Sequence, residues 1–134
     1  MDLRARLREL VAPRGAALDL AVVTLGSHTH THPQLSALDD DAVRHELEHS
    51  RTLLEEWTGR RVEDFAYPSG DHDERVVRLV DEGGWRSAWT TRPGFVTPDH
   101  PPLRLPRVAV DDTASIGNLA AKMTPLVHRV GVLR

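Results

Sequence analysis

No cysteine occurs in the sequence. This excludes a disulfide framework and a thiolate metal site, so any bound metal must be held by His, Asp or Glu. A strong charge imbalance is also missing: the formal net charge of −3 gives no reason to expect nucleic acid or an anionic membrane as partner, and leaves a small molecule or glycan. The opening MDLRARLREL is charged throughout, without the run of about seven apolar residues that an export leader needs. No stretch approaches the roughly 18 apolar residues of a membrane-spanning helix. The chain as written is therefore expected in the cytoplasm. Internal repeats and low-complexity tracts are absent as well. What is there is a chain of 134 residues, the length of a single domain over 1–134 and short for an elaborate α/β enzyme. With eight histidines, these are the residues to follow.

The pattern alternates between strand and helix. Leu3, Leu7, Leu10 and Val11 recur at helical spacing, closed by Pro13-Arg14-Gly15. Leu18 to Gly26 is apolar and partly β-branched without a helical stripe, which predicts a strand buried on both faces. From Asp39 to Trp57, Val43, Leu47, Leu54 and Trp57 form one stripe, with aspartates at the start and Gly59 as a stop. Further expected elements are a strand over Val62 to Tyr67, a helix over Asp73 to Glu82 and a strand over Arg86 to Thr91. After a proline-rich loop come a short strand near Arg107 to Val110 and a helix from about Thr113. Such alternation implies a parallel sheet or barrel with its chemistry at the carboxyl ends of the strands.

The predicted strand end at Gly26 delivers His28, His30 and His32, in the run GSHTHTHP. On an extended backbone all three would share one face, with His28 and His32 about 13 Å apart. Pro33 disfavours the helical region for His32 and so predicts a turn, which can bring His28 and His32 around one ion. Ser27, Thr29 and Thr31 can hold such a loop by bonding its own backbone. A solvated His-rich turn fits the same letters, but the position at a strand's carboxyl end favours a site. A second pattern, His45-Glu46-Leu47-Glu48-His49, matches the helical motif of zinc peptidases. At 100° per residue, however, that pair points about 200° away from Val43 and Leu47, onto the polar side of its helix. A solvated helix face is the better reading.

Taken in order, GSHTHTHPQL, the long helix with an acidic start, FAYPSGDHDERVVRLV, GWRSAWTTRPG and LRLPRVAV resemble the polysaccharide deacetylases of the NodB-homology class, carbohydrate esterase family 4. The resemblance runs from about Gly26 to Val110. It implies an α/β fold, a partial or distorted (β/α) barrel, and a metal-dependent hydrolase that removes N-acetyl groups from a polysaccharide or related amide. His28 and His32 become the ligands of Zn²⁺ or another divalent ion, with His30 as a neighbour. The implied roles continue with the Ser69 backbone amide as oxyanion donor, Tyr67 and Pro68 at the substrate, and Arg107 orienting a catalytic carboxylate, with a core-edge salt bridge as the alternative for Arg107. The Leu126-Val127-His128 run aligns with the family's general-acid motif, although the end of a helix is the simpler explanation. His72 lies near the expected mouth, where a helix-entry turn capped by Asp73 is the competing explanation. Trp85 and Trp89 flank a strand; core packing is the commoner use of such residues, with one of them lining a sugar site as the alternative. Relatives of this class are often secreted or cell-envelope associated.

One departure stands out. The family carries an Asp-Asp pair at the end of an earlier strand, one carboxylate as base and one as ligand. Before His28 this sequence has only Asp2 and Asp19, and Asp19 would sit about 30 Å away on an extended strand. The resemblance thus leaves two expectations open, an active deacetylase and a catalytically inactive remnant that still binds metal.

Overall fold

The computed structural model describes residues 24–110 and 115–124. The helix expected over Leu3 to Val11 and His128 lie outside these residues, as does the predicted first strand up to Val23.

Helix α1, Asp40–Thr58, forms where the apolar stripe predicts it. Asp39 is the residue that starts it, its carboxylate accepting the Ala42 amide at 2.8 Å. Helix α2, Glu74–Glu82, begins the same way, with the Asp73 carboxylate accepting the Val76 amide at 2.7 Å. Strands β1 (Asp64–Ala66), β2 (Ser87–Pro93) and β3 (Leu105–Arg107) make one parallel sheet in that order. Ser27 extends the sheet beside β1, through a parallel bridge to Phe65. Its amide donates to the Asp64 carbonyl and its carbonyl accepts from the Ala66 amide, both at 2.8 Å. Gly26 suits the close approach at this junction: a Cβ there would stand 3.0 Å from the Asp64 carbonyl oxygen, a tight contact.

The third strand and last helix differ from expectation. β3 starts two residues earlier than predicted, with Leu105 and Pro106 buried. A proline lacks the N–H of a ladder residue and so hides a strand from pattern reading, but an edge position such as that of β3 tolerates it. Helix α3, Ile116–Lys122, begins after a Ser115 cap rather than near Thr113. The structure also adds two short 3-10 turns, Leu35–Ala37 and Pro68–Gly70, that the pattern did not announce.

The two faces of the sheet have different fates. Alternation along β1 and β2 sends Phe65, Ala88 and Thr90 to one side, where they are buried. There Val43, Leu47, Val76, Val80 and Trp85 from the helices and the α2–β2 connection complete the core. Phe65 is its hub, with ring centres 5.2 Å from Tyr67 and 5.3 Å from Trp85. Arg51 ties α1 to the end of α2, donating to the Gly83 carbonyl at 2.7 Å while its guanidinium lies 3.7 Å above the Trp85 ring. The other side carries Asp64, Ala66, Ser87 and Trp89, and no helix of the described residues is packed on it in the manner of α1 and α2. A cavity of about 610 Å³ opens there, lined among others by His28, Ala66, Trp89 and Arg107. A parallel β/α sheet with helices on one face and, among the described residues, none packed on the other is a partial barrel, the form that the family resemblance implied.

Candidate metal centre

The histidine loop is shaped by bonds that are short in space and long in sequence. Ser27 is buried, its hydroxyl 2.6 Å from that of Ser50 on α1. Two non-glycine residues then take left-handed backbone, Thr29 (φ 66°) and His32 (φ 62°), a conformation that persists only where the surroundings impose it. Glu46 imposes much of it. Its buried carboxylate accepts the His30 amide at 2.7 Å, the Thr31 amide at 2.8 Å and the Thr31 hydroxyl at 2.6 Å. Burial pushes the Glu46 pKa up, but the Thr31 hydroxyl and amide and the His30 amide outweigh it and hold the carboxyl below its ordinary value. Thr29 closes the turn from inside, its hydroxyl oxygen accepting the His32 amide at 3.1 Å and donating to the His28 carbonyl at 2.6 Å. Local bonding by the loop's hydroxyls is therefore real for Thr29 and for Ser27, whose hydroxyl oxygen accepts the Thr29 amide at 3.3 Å, whereas Thr31 is spent on Glu46.

This turn brings His28 and His32 together. Their ring centres are 4.8 Å apart at 73°, against the roughly 13 Å between Cα atoms of a straight strand. Two imidazoles on one ion, each nitrogen about 2.0–2.1 Å from it, have ring centres about 4.5 Å apart at a right angle and about 5.2 Å apart at the tetrahedral angle, so the spacing of this pair is that of a shared ion. The His28 Nδ1 lies 2.7 Å from the Ala66 carbonyl oxygen. That acceptor requires the proton on Nδ1 and leaves Nε2 with its lone pair for a ligand, the arrangement typical of metal-binding histidines. The fit covers half a site: among the described residues no group of three or more His, Asp or Glu side chains is arranged to hold one ion.

Other expected residues fall into place unevenly. Ser69 is exposed at the carboxyl end of β1 and adopts φ 54°, ψ 10°. The turn around it is fixed against β2 by Gly70, where a Cβ would collide with the Thr91 hydroxyl and backbone. Arg107 is exposed and lines the same cavity as His28. Tyr67 and Pro68, expected at the substrate, have fully buried side chains. The Tyr67 hydroxyl donates to the Leu103 carbonyl at 2.9 Å, and burial raises its pKa far above the phenol range. Both side chains thus serve the core and the placing of the Ser69 turn. His72 stacks on the Tyr67 ring, centres 4.8 Å apart, and its Nδ1 lies 2.7 Å from the Gly70 carbonyl oxygen, so it braces the helix entry. Trp85 is core, whereas Trp89 is half-buried at the cavity.

The zinc-peptidase pattern does not survive the geometry. Its Glu46 is buried and committed to two amides and a hydroxyl, so it has no freedom to serve as a base for water between His45 and His49. That same carboxylate is the residue that sequence reasoning missed. The available signal was an acidic residue on the inner side of α1, four positions from Ser50 and one from Leu47.

The sequence pattern of the polysaccharide deacetylase family matches residues 18–88. YxkH of Bacillus subtilis (strain 168), which carries the provisional designation of a polysaccharide deacetylase, is 26% identical over 88 residues, 66% of this chain and 32% of that protein. The crystal structure of BC0361, a polysaccharide deacetylase from Bacillus cereus, superposes with a TM-score of 0.71 at 29% identity, covering 87% of this chain and 39% of that one. The Streptococcus pyogenes deacetylase PplD, solved in complex with acetate, gives 0.70 at 25% identity over 75% of this chain and 44% of that chain. The chain thus spans about a third of the length of its curated relative and under half of each of these two structures. With a match over more than half of its residues and a NodB-type fold, the chain belongs to the polysaccharide deacetylase family.

Proposed function

We propose that this chain carries the histidine half of a metal-dependent centre that hydrolyses the N-acetyl groups of a glycan. The observation that supports it most directly is the His28–His32 pair, with His28 fixed through Nδ1 on the Ala66 carbonyl. A divalent ion such as Zn²⁺, when bound, supplies Lewis-acid polarisation of the acetamide carbonyl and a water of lowered pKa. His28 and His32 would hold it. The Ser69 amide, at the end of the strand that provides the Ala66 carbonyl, is the candidate donor to the developing oxyanion. Arg107, which lines the same cavity as His28, would orient a carboxylate, and Trp89 offers the flat apolar surface on which sugar rings stack.

The experiment is acetate release from an N-acetylated chitooligosaccharide at saturating Zn²⁺. Turnover that disappears in His28→Ala and in His32→Ala is the expected result. A chain that binds metal through these histidines and releases no acetate overturns the enzyme reading. A second reading, a metal-binding member without turnover, then applies; it is favoured by the lack of a third ligand beside the pair among the described residues. Among the described residues no carboxylate joins the pair as a third ligand.

A further inference from the structure

Two features stay unused by the deacetylase reading, His30 and the His45/His49 pair, and in the structure they meet. The His30 ring packs edge-on against His49 with centres 4.3 Å apart, and His49 lies 5.3 Å from His45, nearly parallel to it. The loop carrying His30 is held to α1 at this point by Glu46, whose carboxylate takes the His30 and Thr31 amides. A buried, charge-assisted clamp, rather than the rings themselves, therefore sets the gap between loop and helix. Among the described residues no hydrogen bond engages the His30, His45 or His49 rings. His30 and His45 are exposed and His49 is half-buried.

We propose that His30, His45 and His49 form a second site, for a divalent transition-metal ion of the kind that prefers imidazole, Zn²⁺, Ni²⁺ or Cu²⁺, separate from the His28–His32 pair. His45 and His49 stand one helical turn apart on one face, the spacing at which two imidazoles reach one ion. Two imidazoles on a shared ion have ring centres about 4.5 Å apart at a right angle and about 5.2 Å apart at the tetrahedral angle; the His45–His49 spacing of 5.3 Å meets the upper value, and the His30–His49 spacing of 4.3 Å falls just short of the lower one. The nitrogens are not converged as they stand, and no ready group of three is present among the described residues. The site therefore requires the rings to rotate about their own side-chain bonds, His30 and His45 from exposed positions and His49 from a half-buried one, on a backbone that Glu46 holds. Three imidazoles suit borderline divalent ions, and the absence of carboxylate ligands disfavours Mg²⁺ and Ca²⁺. Glu46 acts here as the support that positions His30. The HTHTH run then divides its labour: His28 and His32 turn to one ion, His30 to another.

The test is calorimetric titration of the full chain with Zn²⁺, repeated with Ni²⁺. Wild type is expected to take up two equivalents. His45→Ala/His49→Ala should lose one and keep the other, His28→Ala/His32→Ala should do the converse, and the fourfold variant should bind none. Retention of both equivalents in His45→Ala/His49→Ala overturns the proposal, as does a wild type with one equivalent that His28→Ala/His32→Ala removes. A single equivalent removed by His45→Ala/His49→Ala instead supports it and counts against the first pair. His45→Gln/His49→Gln, polar on the same face and checked by thermal unfolding, guards against a folding artefact. Acetate release stands or falls separately on His28 and His32.

Discussion

The two faces of the parallel sheet are built from the same three strands and differ in almost everything else. The helix-covered face holds Phe65, Ala88 and Thr90 among apolar partners. The open face presents His28, Asp64, Trp89 and Arg107 around a cavity, and its charges are held in surface pairs such as Arg86 with Asp64 at 2.6 Å. One face makes the fold stable; the other has polar groups converging without being needed for burial. Function in this chain is therefore sought where burial does not explain the side chains.

Substitutions should separate the faces by size of effect. Phe65→Ala, at the hub of the covered face, should cost about 3–5 kcal/mol and unfold much of the population, read as a large drop in denaturation midpoint. Glu46→Gln comes next. It keeps the shape but removes the charge from a carboxylate that accepts three bonds, with an expected cost of about 1–3 kcal/mol and weaker metal uptake at both proposed sites. Loss of uptake without loss of stability would mean that Glu46 serves the loop alone.

The same carboxylate gives the pH dependence its sign. Because its folded pKa is depressed, the stability it contributes is present above the unfolded value of about 4.3 and is lost as pH falls through the folded one. Urea midpoints followed from neutral pH into acid should drop more steeply for wild type than for Glu46→Gln. Equal slopes would remove Glu46 as the source. At the small end, Arg107→Ala on the open face should change stability by no more than about 0.5 kcal/mol. If acetate is released by wild type, the variant should release it more slowly. A large loss of stability there would erase the contrast between the faces.

How much of this was legible in the sequence depended on the range of the interactions involved. Helices α1 and α2 were readable to within a residue because their stripes, their Asp39 and Asp73 caps and their glycine stops are local. The His28–His32 approach was readable from the Pro33 turn and the family resemblance, since both lie within a few residues. The Glu46 clamp was not: it joins residues 15 and 16 apart, and its letters sit inside a peptidase-like motif that suggests another use. Tyr67 misled for the opposite reason. A family motif marks the position as important, but nothing in the string says that the ring faces Phe65 and Leu103 rather than solvent.

The Ala66 carbonyl has a consequence for how such a protein can change over time. It orients His28 and stands immediately before the turn that presents Ser69. A one-residue insertion or deletion in β1 would therefore misplace the imidazole and the turn together, and no compensating change in either segment alone would restore both. Residues 26–32 and 64–70 form a single heritable module, free to drift in side chain at the exposed Ser69 but not in length. Recombination or grafting should succeed only when the two segments travel as a pair.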